Sequence, residues 1–265
     1  MNIFHKMGCL CFILGWGALY ALPVNNPASP KIVEEGFFLS PGSSWSVRAG
    51  YEGSFVLDYH LKKDIKNKID SFHQDTQAGS VTLNFLNRCD VYGLLGASRA
   101  KARYRYEGLE NMYTLVEFES HYQFSWGAGI KAILFDWGKT NLEMGGRYFR
   151  SRGDFESLDK NGTPVSDFGG GYHLRGWQID LGISYKMDIF VPYIAAKYSR
   201  IQSTIHAKHG IDISSSGNKL SHLENKRKYG MALGCSLSTG KLFVLTAEAR
   251  LIDEEAFTIS GEIKF

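Results

Sequence analysis

Arg99, Lys101, Arg103 and Arg105 alternate with Ala100, Ala102, Tyr104 and Tyr106, so a strand would carry all four cations on one face. Such a strip can draw anions towards a channel mouth through its summed potential. It can equally form a salt-bridge ladder with Glu117 and Glu119, which an antiparallel neighbour would bring opposite. The two roles are compatible. Further charges fall on the polar side of period-two segments: Arg48, Glu52, Lys131, Arg147, Asp180, Lys197, Lys228, Glu248, Arg250 and Glu262. All of these, together with Arg99, Lys101, Arg103, Arg105, Glu117 and Glu119, are expected to face inward and line a lumen, where a charge costs little. Covalent chemistry is poorly represented. Gly127-Ala128-Gly129 lacks the helix of a dinucleotide loop, and Asp167-Phe168-Gly169 stands without any other kinase element. His206 and His209 share a polar loop with no third metal ligand. Asp58, His60 and His121 are the only candidates for a hydrolase at an outer rim, a remote alternative. No enzyme activity, cofactor or metal is expected.

The elements that position these charges are strands. From Trp45 the odd positions run Trp45, Val47, Ala49, Tyr51, Gly53, Phe55, Leu57 and Tyr59, while the even ones carry Ser46, Arg48, Glu52, Ser54, Asp58 and His60. The same alternation recurs over Trp177–Lys186, Phe243–Leu251 and Phe257–Phe265, and helical spacing gives no comparable stripe. Ten segments qualify, near 44–60, 75–86, 90–105, 115–134, 140–151, 173–186, 189–203, 224–237, 241–252 and 255–265. Short turns and longer polar loops alternate between them, apart from a short link at Asp253-Glu254. That order predicts an all-β, transmembrane, antiparallel up-and-down β-barrel of about 10 strands (10–12), with short turns in the periplasm and long loops outside. A soluble sandwich would alternate in the same way. Strand length and aromatic residues at the ends of the apolar face (Trp45 and Tyr59, Trp177 and Tyr185, Phe190 and Tyr198) favour the membrane barrel. The inward glycines Gly50, Gly127, Gly129, Gly145, Gly182, Gly230 and Gly234 leave either open space or room for close packing.

The chain has 265 residues, with 30 basic and 27 acidic side chains. Nothing in that balance points to nucleic acid. Lys6 followed by the apolar stretch Met7–Ala21 reads as a signal peptide over 1–21, with cleavage between Ala21 and Leu22. Residues 22–43 are rich in proline and read as an extended periplasmic leader, and 44–265 form the outer-membrane barrel. Cys89 and Cys235 remain after cleavage, too few for a disulfide scaffold.

The blocks Ala21-Leu22-Pro23-Val24-Asn25-Asn26-Pro27-Ala28, Val47–Asp58, Phe124-Ser125-Trp126-Gly127-Ala128-Gly129, Pro192–Arg200, and Glu248–Glu254 leading to the terminal Phe265 keep their order along the chain. Together they resemble the chlamydial major outer membrane porin family. The resemblance implies a β-barrel porin for small solutes, often disulfide-linked to its neighbours. This chain is shorter, has modest loops, and carries serines at Pro41-Gly42-Ser43-Ser44-Trp45 where family members have cysteines. Two cysteines alone cannot build a covalent network.

The function expected is therefore a porin-like outer-membrane channel for small hydrophilic solutes or ions. The alternative is a closed structural or surface-adhesion barrel. Expected partners are outer-membrane lipid, the barrel assembly machinery reading Phe265 as an assembly signal, small solutes or ions, and further copies of the chain in a homo-oligomer.

Overall fold

The computed structural model describes residues 22–33, 43–62, 67–107, 112–166, 168–208, 211–214 and 217–265. The expected signal peptide, Ala21, residues 34–42, Asp167 and His209 lie outside them. One four-residue helix, α1 (Ser29–Ile32), precedes the strands β1 (Trp45–Asp58), β2 (Leu61–Lys62), β3 (Asn67–Phe85), β4 (Cys89–Glu107), β5 (Tyr113–Ser120), β6 (Gln123–Trp137) and β7 (Thr140–Lys160). There follow β8 (Thr163–Pro164), β9 (Gly170–Tyr185), β10 (Phe190–Ala207), β11 (Lys219–Asn225), β12 (Tyr229–Leu237), β13 (Phe243–Leu251) and β14 (Glu255–Lys264).

Every pairing between these strands is antiparallel, and β14 closes on β1 from Arg48↔Lys264 to Asp58↔Glu255. Both β5 and β6 lie between β4 and β7, so they are the upper and lower parts of one wall strand. β11 and β12 likewise share β10 as a neighbour. Counted this way the wall is a ring of 10 strands. Closure leaves no free edge and satisfies the backbone inside a bilayer.

The Asp253-Glu254 link caps a low hairpin, because β13 spans 9 residues and β14 spans 10 where β3 spans 19. Above that hairpin the wall is completed by other chain segments. β2 pairs with β11 through Glu224↔Lys62 and Asn225↔Leu61, and Lys226 N–H donates to the His60 carbonyl at 2.8 Å.

The barrel changes character with height. On its lower part, Val81 and Leu83 of β3, Val91 and Leu95 of β4, and Ile179, Leu181 and Ile183 of β9 point outward and are exposed. Continuing up the same outward rows, the residues become Asp75, Arg99, Lys101, Arg175 and His173. The inward rows switch in the opposite sense. Arg48, Glu52, Asp180 and Glu248 fill the lower interior, and Phe72, Tyr104, Phe118, Leu174, Ile201 and Leu220 fill the upper one. The lower half is therefore turned towards lipid, and the upper half is an ordinary dry-cored barrel standing above it.

Aromatic rings mark the boundary. Trp126 and Tyr148 have ring centroids 5.3 Å apart, Trp177 and Tyr198 are 6.0 Å apart, and Tyr198 and Tyr229 are 5.3 Å apart. A lower row includes the stacked pair Phe135 and Trp137 at 5.4 Å, with Tyr185 and Phe190 exposed beside the β9–β10 turn. Along β9 the two rows, at Trp177 and Tyr185, lie roughly 19 Å apart for a tilt near 45°, close to the apolar band of such barrels.

Candidate functional site: a charged lumen closed by the N-terminal segment

Eight of the expected inward charges are in the lower lumen: Arg48, Glu52, Lys131, Arg147, Asp180, Lys197, Glu248 and Arg250 are all buried. They are joined by Asp90, Glu143, Asp253 and Glu254, which the sequence reading did not single out. Arg48 pairs with Asp90 and, at 2.9 Å, with the half-buried Glu262. Arg147 crosses the lumen to Glu52, with Nη1 donating to Oε2 at 3.0 Å. Lys197 meets Asp253 at 3.1 Å and Glu254. Arg250 Nε donates to Glu254 at 2.6 Å, its Nη2 to Ser54 at 3.0 Å. Arg48, Glu52, Arg147, Lys197, Arg250, Asp253 and Glu254 are thus each held by an opposite charge, the condition under which burying them is tolerable. Lys131 and Glu143 are the loosest pair, 3.9 Å apart. Among the described residues, Lys131 Nζ, both Glu143 carboxylate oxygens and Asp180 Oδ1 have no hydrogen-bond partner.

Residues 22–33 of the expected periplasmic leader lie inside the barrel. Their backbone finds partners all around the wall. Leu22 N–H donates to Gln178 Oε1 at 2.7 Å, Val24 N–H to Glu248 at 3.0 Å and Asn25 N–H to Glu248 at 2.7 Å. Arg147 donates to the Pro23 carbonyl at 3.3 Å, Arg48 to that of Ser29 at 2.9 Å, Asn84 to that of Pro30 at 3.0 Å and Lys264 to that of Val33 at 2.8 Å. Asn26 donates to the Val191 carbonyl at 2.7 Å and to Ser236 at 3.0 Å. The physical reason is that an extended, proline-rich strap carries many unpaired backbone groups, and the charged lumen supplies partners for them. Small apolar contacts complete the fit, Val24 with Ala195 and Ala232 and Ile32 with Val191 and Val244. Gly182 is where strap and wall come closest, since a Cβ there would sit 2.5 Å from Pro27 Cγ.

The inward glycines are filled by their neighbours and leave no open space. Tyr92 lies over Gly129, where a Cβ would come within 2.4 Å, and Tyr193 over Gly234, within 2.3 Å. A remaining cavity of about 30 Å³ is lined by Asn25, Arg48, Glu52, Asp90 and Lys131 among others, room for one or two waters. Among the described residues, the strap and the wall side chains fill the lower lumen.

Three groups of expected residues require correction. Arg99, Lys101, Arg103 and Arg105 face outward, with Ala100, Ala102, Tyr104 and Tyr106 buried behind them. Glu117 and Glu119 also face outward and complete the ladder, with Arg99 and Lys101 meeting Glu119 at 3.4 and 3.2 Å and Arg103 meeting Glu117. Asp75 and Asp70 add contacts of 2.9 Å to Arg99 and 2.7 Å to Arg105; the hydrogen bond to Asp75 is what chiefly holds the Arg99 pKa above its ordinary value. The reason is phase, because Val91 and Leu95 lie on the same row as Arg99 and already point outward. Lys228 is likewise exposed.

Of the rim-hydrolase candidates, His60 lies 3.6 Å from Asp58, whereas His121 faces Glu156 at 3.3 Å. His206 is on β10, facing outward. Cys89 and Cys235 are both unpaired thiols. Phe265 N–H donates to the Val47 carbonyl at 2.9 Å, which docks the last residue on β1.

An apolar band between aromatic rows, a closed antiparallel ring and a charged interior define where this chain resides. It is an outer-membrane β-barrel. Over 94% of its length the barrel chain is 24% identical to the major outer membrane porin, serovar E, of Chlamydia trachomatis, covering 95% of that protein. It is 23% identical to the serovar L3 porin over 94% of this chain and 96% of that one. The first alignment runs over 377 positions against 265 residues here, so the relative carries extra segments. No protein-family model matches the sequence. Among solved structures, the outer membrane protease OmpT from Escherichia coli gives a TM-score of 0.45 at 11% identity, over 83% of this chain and 95% of that one. The outer membrane protein OprG from Pseudomonas aeruginosa gives 0.41 at 10% identity, over 88% and 99%.

Proposed function

We propose that the barrel is a porin-like channel for small hydrophilic solutes or ions, and that residues 22–33 close its lower lumen, beneath the apolar upper interior. The observation that carries this reading is the chemistry of the strap's contacts. It is held mainly by hydrogen bonds to lumen side chains such as Glu248, Gln178 and Arg147, and water can replace each of these when the strap leaves. The wall behind it is already hydrophilic, so a vacated lumen hydrates at little cost. Arg48, Glu52, Lys131, Arg147, Asp180, Lys197, Glu248 and Arg250 then line the route. Residues 1–21 act as the export signal, with cleavage after Ala21. Phe265, paired onto β1 at the seam, is the group presented to the assembly machinery, and association with further copies is through the apolar outer wall. The reading is transport rather than catalysis.

The second reading, a permanently closed structural barrel, draws on the packed upper interior around Phe72, Tyr104 and Leu220. Planar-bilayer recording of refolded protein separates the two. Discrete conductance steps that become larger and more frequent when residues 22–33 are deleted support the channel. A bilayer that stays silent with both forms supports the closed barrel.

A further inference from the structure

The outward charges above the aromatic row are of two kinds. On β3, β4 and β5 they neutralise each other through the ladder described above. On β7 and β9 they do not. Arg150 lies directly opposite Arg175, and Arg152 directly opposite His173. All three arginines are exposed. Like charges facing each other across an antiparallel pair are destabilising, and among the described residues none of the three forms an ion pair with a carboxylate. Arg150 Nε donates to His173 Nε2 at 3.1 Å and Arg175 to Gln202 at 3.2 Å, both neutral acceptors. Asp154 follows Arg152 on the same exposed row of β7, opposite Gly171, and forms no ion pair among the described residues; farther along, Glu224 is engaged by Arg200 at 2.9 Å and Glu156 by His121. His173 lies beside the three arginines. Its pKa is held below the ordinary imidazole value, first by burial and then by Arg150, Arg175, Arg152 and His206.

Position says what supplies the missing negative charge. Arg150 follows Tyr148 on the outward row of β7, and Arg175 adjoins Trp177 on that of β9. Tyr148 and Trp177 are themselves paired across the two strands and belong to the upper aromatic row. The guanidinium groups therefore stand one residue pair above the apolar band, at the height of lipid headgroups, on the long-loop side of the barrel. Arginine forks fit phosphate oxygens in bidentate fashion.

We propose that Arg150, Arg152 and Arg175 form a seat for the phosphate groups of a phosphorylated glycolipid in the outer leaflet. The lipid's acyl chains would lie along Tyr148, Trp177 and the apolar rows below. This inference depends on the membrane placement of the barrel and is independent of whether the channel opens.

The test uses the full barrel refolded into phosphatidylcholine nanodiscs doped with diphosphoryl lipid A, with bound glycolipid counted by native mass spectrometry. Dephosphorylated lipid A, and an excess of inorganic phosphate as competitor, form the other arms. The variant R150Q/R152Q/R175Q is expected to retain diphosphoryl lipid A about tenfold less well, the scale of several lost charge-assisted hydrogen bonds. The ladder variant K101Q/R103Q is expected to match the wild type. R150K/R152K/R175K keeps the charge without the forks and is expected to fall between, which guards against a folding defect in the first variant. Equal retention by the glutamine variant and the wild type overturns the proposal. So does equal retention of the dephosphorylated lipid, or complete displacement by inorganic phosphate. Single-channel conductance recorded on the same variants reports on the channel reading separately.

Discussion

Glu248, on the inward face of β13, accepts the backbone N–H of Asn25 at 2.7 Å and that of Val24 at 3.0 Å, so one carboxylate clamps two consecutive peptide groups of the strap. It also accepts the Tyr193 hydroxyl at 2.8 Å. Replacing it with alanine removes both clamps. The E248A barrel is expected to open more often than the wild type in planar bilayers, and deletion of 22–33 is expected to exceed it. An E248A trace indistinguishable from wild type would remove Glu248 from the closing contacts.

The close approach of Gly182 to Pro27 gives a second handle on the strap, without touching a charge. A valine at Gly182 would place its Cβ in the volume of the Pro27 ring, and the strap is the softer of the two partners. G182V is expected to raise open probability while the barrel remains heat-modifiable on a gel. Unchanged gating with an intact barrel would show that the strap accommodates the side chain where it is.

The Lys197, Arg250, Asp253 and Glu254 cluster bears on stability. Lys197 touches both acids, so K197M leaves buried carboxylate charge with Arg250 as its remaining cation. Breaking a buried pair in this way costs about 3–5 kcal/mol. Urea-induced unfolding in lipid vesicles should show a shift of that size. A change below about 1 kcal/mol, the range of exposed pairs, would mean the cluster is hydrated.

Ion selectivity distinguishes the two faces of the wall. Neutralising Arg99, Lys101, Arg103 and Arg105 together is expected to leave the reversal potential in a salt gradient unchanged, because these residues point away from the lumen. Replacing Arg147 or Lys131 by glutamine is expected to shift it towards cation preference. The opposite pattern would place the conducting path outside the lower lumen.

The lower half of this architecture was legible from residue types, and the upper half was not. Period two over Trp177–Tyr185 places Ile179, Leu181 and Ile183 outside and Gln178 and Asp180 inside, as the structure has them. The rule that charges face inward then fails above the aromatic row, where water replaces lipid and the apolar side chains turn in. On β4 the signal was present, since Val91, Leu95 and Arg99 share one parity, but a fixed rule for charge overrode it. The strap was hidden for a different reason. Nothing local in Pro23, Asn25 or Asn26 says that the Pro23 carbonyl will accept from Arg147, or that the side-chain amides of Asn25 and Asn26 will donate to Glu52 and Ser236, which lie far away in sequence. Those partners become neighbours only once the ring has closed.

Because the wall turns inside out partway up, altitude decides what a given change means. Serine in place of Leu245 exchanges one greasy contact with acyl chains for a poorer one, and the vestibule hardly notices. The same replacement at Leu220 excavates a sealed interior whose neighbours Ile205 and Leu223 cannot retreat. A single hydropathy scale applied along this chain would therefore give the two replacements one score where their costs differ.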